Sequence, residues 1–242
     1  MVRAVDDDFK RLVDFISTYS TSKIIELEGF VPSTRITHKH YVPLLQILAE
    51  TNKLATSREL TFFGDQIGPY SKSILYLQEC VSDIGCSLFC SINGAYKPAD
   101  MLLRSAIENF MKFAVGASAK KVYRMKNVYE IFELFQANKA FDVVDKKVYE
   151  LIRFLYVELC KTTHTASVTQ MAKIHSLNSF PGFHQAKYGC WVKNSTQLIV
   201  AFSAIIVAGN KNIYLGAHYK SREIIEAVLP KPVLRKILAG EI

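Results

Sequence analysis

The chain has 242 residues, half of them hydrophobic and 21% charged, which is enough apolar material to bury a core and too little charge for intrinsic disorder. Five cysteines without a C-x-x-C pair argue against a disulfide framework or a structural zinc site and fit a reducing, cytoplasmic setting. The net charge of +8 is uneven: through Phe110 there are 11 basic and 13 acidic residues, and after it 19 and 9.

In chain order, the opening MVRAVDDDFK carries three aspartates where a secretory signal has a basic and then an apolar stretch, so export is not expected. Those aspartates suit the start of a first helix with Phe9, Leu12, Val13, Phe15 and Ile16 on its apolar face, ending at Gly29. A loop with Pro32 follows, then short helices over residues 41–50 and 58–63, before a break at Gly64, Gly68 and Pro69. From Ile67, apolar positions Ile74, Val81 and Leu88 recur every seven residues, with Tyr70, Leu77 and Ile84 between them, which predicts a long core helix closed by Asn93-Gly94. Pro98 opens a further helix with Leu103, Ala106, Ile107, Phe110 and Ala114 on one face, ending at Gly116. A basic connector, residues 119–126, leads to a helix carrying Val128, Ile131, Phe132 and Phe135. Asp145 caps another with Val148, Leu151, Ile152, Leu155 and Leu159, running out near His164. Residues 165–189 read as a long loop with one helical turn near Met171, residues 191–208 as an apolar helix, and two short helices finish the chain.

No strand pairing, repeat or low-complexity tract is evident. The expected fold is all-α: a helical bundle over 67–242 with a basic carboxyl-terminal extension, preceded by a smaller helical section over 1–66. The longest apolar run, residues 198–209, has 12 residues, short of the roughly 18 that a membrane span requires, so no membrane association is expected.

Between Glu158 and Glu223 there are 64 residues without one Asp or Glu. Lys161, Lys173, Lys187 and Lys193 fall in this stretch beside Phe180, Phe183, Tyr188 and Trp191, and such a mixture suits phosphate neutralisation and base stacking. A buried apolar helix would lack carboxylates as well, which accounts for residues 198–208. RNA or another nucleic acid is the expected partner.

Arg104 and Glu108, four apart, share one side of a helix and can pair. Tyr156, Cys160 and His164 follow at intervals of four on the next long helix, stacking a phenol, a thiol and an imidazole along one stripe. If the two helices are neighbours, Arg104, Glu108, Tyr156 and His164 share one polar patch. His38 and His40 have no companion carboxylate, so no metal site is expected. Cys86 and Cys90 have no activating base and read as core residues. No phosphate-cradling or dinucleotide glycine motif is present, and no cofactor is expected. A helix-turn-helix reading of residues 50–68 has little basic charge behind it.

The segments LLRSAIENFMKF and FLYVELCKTTHTAS, some forty residues apart, resemble the paired helices of HEPN-like domains over about residues 99–167. The resemblance implies an α-helical bundle, a dimer or a complex with a partner protein, and a place in a bacterial antiviral or toxin system as a ribonuclease or accessory subunit. It also implies a metal-independent attack of a ribose 2′-hydroxyl on the adjacent phosphate, with His164 as acid or base, Arg104 stabilising the phosphorane and Glu108 orienting the arginine. In the family's ribonuclease signature four to six residues separate the Arg from a following His; here Asn109 and Phe110 stand at that distance. The second reading is a non-catalytic interaction subunit in which Arg104, Glu108, Tyr156 and His164 form a polar network fixing helix register.

Overall fold

The computed structural model describes residues 10, 13, 14, 18–20, 22–168, 171–174 and 176–241. Among these the chain forms ten α-helices and a single two-stranded sheet, so the fold is all-α as the periodicity predicts. Of the first expected helix, over residues 6–27, the apolar positions Phe9, Leu12, Phe15 and Ile16 lie outside the described residues. Within them a short 3-10 turn, Ser22–Glu26, precedes Gly29.

Helix α1 runs unbroken over Phe30–Thr56. The loop expected at Pro32 and the separate helix over 41–50 are therefore one element. Pro32 sits in the first turn, where amides have no intrahelical acceptor and a proline costs little. Pro43 lies inside the helix and is itself buried, so packing there outweighs one missing backbone hydrogen bond.

The helix expected over 58–63 is instead the start of a tight hairpin. Strands β1 (Thr61–Phe62) and β2 (Asp65–Gln66) pair antiparallel, with Thr61 opposite Gln66 and Phe62 opposite Asp65. The two-residue turn between them has positive φ at both Phe63 (49°) and Gly64 (94°), the backbone that matches strand twist in a short hairpin. Glycine takes this conformation freely, whereas Phe63 is held in it by the fold: its amide donates to the Gly209 carbonyl at 2.9 Å.

Helix α2 (Lys72–Ile92) begins five residues later than the seven-residue repeat implies. Ser71 is its N-cap, accepting from the Ile74 amide at 3.4 Å, so Ile67 is buried beside the hairpin and Tyr70 stands in solvent. Helix α3 (Tyr96–Gly116) packs along α2 and carries Leu103, Ala106, Ile107, Phe110 and Ala114 inward as expected. After a 3-10 turn over Lys120–Arg124 come α4 (Val128–Gln136), α5 (Ala140–Val144) and α6 (Lys146–Thr163). The Asp145 side chain caps α6 by accepting from the Lys147 amide at 2.9 Å.

Helix α7 extends over Gln185–Gly209, starting within the expected loop because the His184 ring caps it. Its length and composition would suffice to cross a membrane, yet 67% of its most apolar stretch is buried in the protein, which makes it the central core helix. Phe202 stacks on Phe110 at 3.9 Å between centroids and Phe135 meets Phe110 edge-on, tying α7, α3 and α4 together. Short helices α8 (Asn212–Leu215), α9 (Tyr219–Glu226) and α10 (Lys231–Ala239) complete the chain.

One polar chain crosses this apolar centre. The Trp191 indole on α7 donates to Ser87 Oγ at 2.8 Å, and Ser87 on α2 donates to the Ala99 carbonyl on α3 at 2.7 Å. A single hydroxyl thus satisfies a buried indole and registers three helices.

Candidate functional site: a polar seam and the cleft at its end

Helices α3 and α6 pack antiparallel, and polar side chains fall along their seam. On α3, Lys97, Asp100, Arg104 and Glu108 recur every three or four residues and so share one face. Opposite them on α6 and just past its end stand Tyr156, Thr162 and Thr165.

At the centre of the seam three groups close on one another. Arg104 pairs with Glu108 at 3.0 Å (Nη2 to Oε1) and donates from Nε to the Tyr156 hydroxyl at 3.2 Å. The Tyr156 hydroxyl donates in turn to Glu108 Oε1 at 2.9 Å. The guanidinium also lies over the Tyr156 ring, 5.4 Å from its centroid. Burial, with the Glu108 carboxylate alongside, pushes the Tyr156 phenol well above its ordinary range, so it stays protonated and acts as a donor.

His164 stands apart from this trio. It is the C-cap of α6, its backbone amide donating to the Cys160 carbonyl at 2.9 Å, and its ring is exposed. Eight residues separate it from Tyr156, about 12 Å along the helix axis. Among the described residues no hydrogen bond or ion pair joins its ring to Arg104, Glu108 or Tyr156.

Toward the amino end of α3 the seam opens into a cleft of about 380 Å³. Lys97 and Lys187 flank it; Phe180, Phe183 and Trp191 form apolar wall; Asp100 contributes the carboxylate. The Lys97 ammonium donates to Thr165 Oγ1 at 2.6 Å, which fixes it at the rim, and among the described residues it forms no ion pair. The Asp100 carboxyl is pushed up to about 6 by burial, against which the Thr162 hydroxyl acts by hydrogen bonding to it. The Tyr96 hydroxyl accepts from the His184 amide at 2.9 Å and anchors the start of α7 to α3 at the same place.

The four lysines singled out in sequence are distributed unequally. Lys187 lines the cleft, Lys193 is exposed further along α7, Lys173 is exposed with a left-handed backbone (φ 53°), and Lys161 is held by Glu158 on its own helix. Lys173, Lys187 and Lys193 pair with no carboxylate among the described residues. The aromatic residues of that stretch differ more sharply from expectation. Tyr188 and Trp191 are 0% and 1% exposed and belong to a core cluster with Phe30, Phe183 and Tyr96, so they do not present open stacking faces.

Lys97, Asp100 and Thr162 were not expected at a site from sequence. The available signal was the position of Asp100 and Lys97 one and two turns before Arg104, on the same helical stripe. No cluster of three metal-ligating side chains occurs among the described residues. No family model, characterised protein or solved structure matches this chain.

Proposed function

We propose that this protein is a helical RNA-binding subunit whose cleft between α3, α6 and α7 receives one nucleotide unit of a single strand, and that it binds without cleaving. The observation that carries the reading is the make-up of that cleft: two ammonium groups at the rim, an apolar aromatic wall and one recessed carboxylate. Lys97 and Lys187 face a phosphate, Phe180 and Phe183 take the flat side of a base, and the Asp100 carboxylate accepts from a base amino group. The exposed lysines on and before α7 continue the attraction along the strand.

Arg104, Glu108 and Tyr156 serve as a register network in this reading. Each of the three contacts the other two, and His164, the proposed acid or base of a ribonuclease, is two helical turns from Tyr156. Membership of a HEPN-like group, a role in bacterial antiviral or toxin systems, and assembly as a homodimer or with a partner protein belong to the same proposal. They rest on the paired-helix resemblance.

The test is fluorescence anisotropy with a labelled 5′-hydroxyl single-stranded RNA. Lys97→Gln/Lys187→Gln weakens binding about tenfold or more and lowers the log–log salt slope by about one. Unchanged affinity in that variant contradicts the site. Incubation of wild type and His164→Ala with cellular RNA in EDTA leaves the RNA intact in both; cleavage by wild type alone establishes the ribonuclease instead.

A further inference from the structure

At the opposite end of α3, about 30 Å from the cleft just described, a second cavity of about 660 Å³ lies between the start of α2 and the 3-10 turn that follows α3. Four cationic side chains line it: Lys72, Lys120, Lys121 and Arg124. No Asp or Glu is among its lining residues, and the chain carries none at all from 109 to 129, where five cations fall. The four cations are exposed and, among the described residues, take no carboxylate partner. Gathering four like charges around one cavity with nothing to neutralise them is unfavourable, and a multiply charged anion relieves it.

Tyr123, which lines the cavity, is held in place by its neighbours. The Tyr123 and Tyr76 rings lie parallel, 5.4 Å apart and 5° from coplanar. Lys72 sits over the Tyr123 ring at 5.9 Å and Lys112 over the Tyr76 ring at 5.1 Å. The Tyr123 hydroxyl is hydrogen-bonded to Ser73 Oγ at 2.5 Å, fixing the turn against α2. Gly116 makes room for it: a Cβ there would fall 2.0 Å from the Tyr123 hydroxyl oxygen. The turn that carries Lys120, Lys121 and Arg124 is therefore held against the start of α2, which carries Lys72.

We infer that this cavity is a binding site for a polyphosphate group. Arg124 offers a planar fork for paired phosphate oxygens, the three lysines act as point charges, and the volume exceeds what a single phosphate fills. A free nucleoside triphosphate and the 5′-triphosphate end of an RNA carry the same chemistry. The site stands on its own residues and does not depend on the cleft at the other end of α3.

Calorimetric titration with tripolyphosphate tests it. Wild type binds with an affinity that falls as salt rises, Lys120→Glu/Lys121→Glu loses at least about tenfold, and Lys97→Gln/Lys187→Gln binds as wild type does. If the charge reversal disturbs folding by circular dichroism, Lys120→Gln/Lys121→Gln replaces it and shows the same direction of loss. Competition by ATP and by 5′-triphosphate RNA against 5′-hydroxyl RNA then distinguishes the free from the RNA-borne source. No binding of tripolyphosphate by wild type, or equal binding by the turn variants, overturns the site. Either result leaves the RNA reading intact, because that is measured with 5′-hydroxyl RNA.

Discussion

The Tyr156 hydroxyl lies between a guanidinium and a carboxylate and makes one hydrogen bond to each. Tyr156→Phe removes both while keeping the ring, and is expected to destabilise by about 1–2 kcal/mol in urea unfolding. Asp100 behaves in the opposite sense. Its carboxyl is raised to about 6, so between the ordinary carboxylate range and about pH 6 the folded chain holds a proton that the unfolded chain has lost. Stability therefore falls as pH rises through that window and stays lower above it. Asp100→Asn, which mimics the protonated form, raises Tm at pH 7.5 by about 2–4 °C, and the gain disappears toward pH 4. A carboxylate kept at a cost to stability inside a cleft supports the binding role proposed for it. The Arg104–Glu108 pair was legible in sequence because a spacing of four fixes its geometry. Asp100 was not, since its significance comes from Thr162 on another helix.

Helices were readable wherever apolar periodicity ran uninterrupted, as in α3 and α6, and misread where local punctuation competed with packing. Pro32 looked like a loop yet occupies a first turn that tolerates it, and Phe63-Gly64 looked like a helix end yet turns a hairpin. The start of α7 was hidden by polar residues that a His184 cap makes helical. How the elements register depends on a few cross-helix bonds, and the Trp191–Ser87–Ala99 chain is the most buried of these. Ser87→Ala leaves the indole N–H without an acceptor, with an expected loss of about 1–3 kcal/mol. Ser87→Thr, which keeps a hydroxyl, separates loss of the bond from loss of volume by recovering part of that stability.

For the whole molecule, the excess of positive charge in the second half was visible from composition alone, but its arrangement was not. The fold brings part of it to the two ends of α3, where it joins cations of the first half: Lys187 meets Lys97 around a cleft with apolar walls, and Lys120, Lys121 and Arg124 meet Lys72 around a wider one whose lining has no carboxylate. The aromatics that sequence placed beside the lysines are mostly spent on the core, because α7 must bury Tyr188 and Trp191 to hold its place. The walled cleft is proposed to bind single-stranded RNA and to leave it whole. The most direct measurement is anisotropy of a labelled 5′-hydroxyl RNA across a salt series, with the RNA recovered from each sample and resolved on a denaturing gel. Binding is expected to be salt-sensitive and to weaken about tenfold or more in Lys97→Gln/Lys187→Gln, with full-length RNA in every lane. Equal binding by that variant, or shortened RNA with wild type alone, would contradict it.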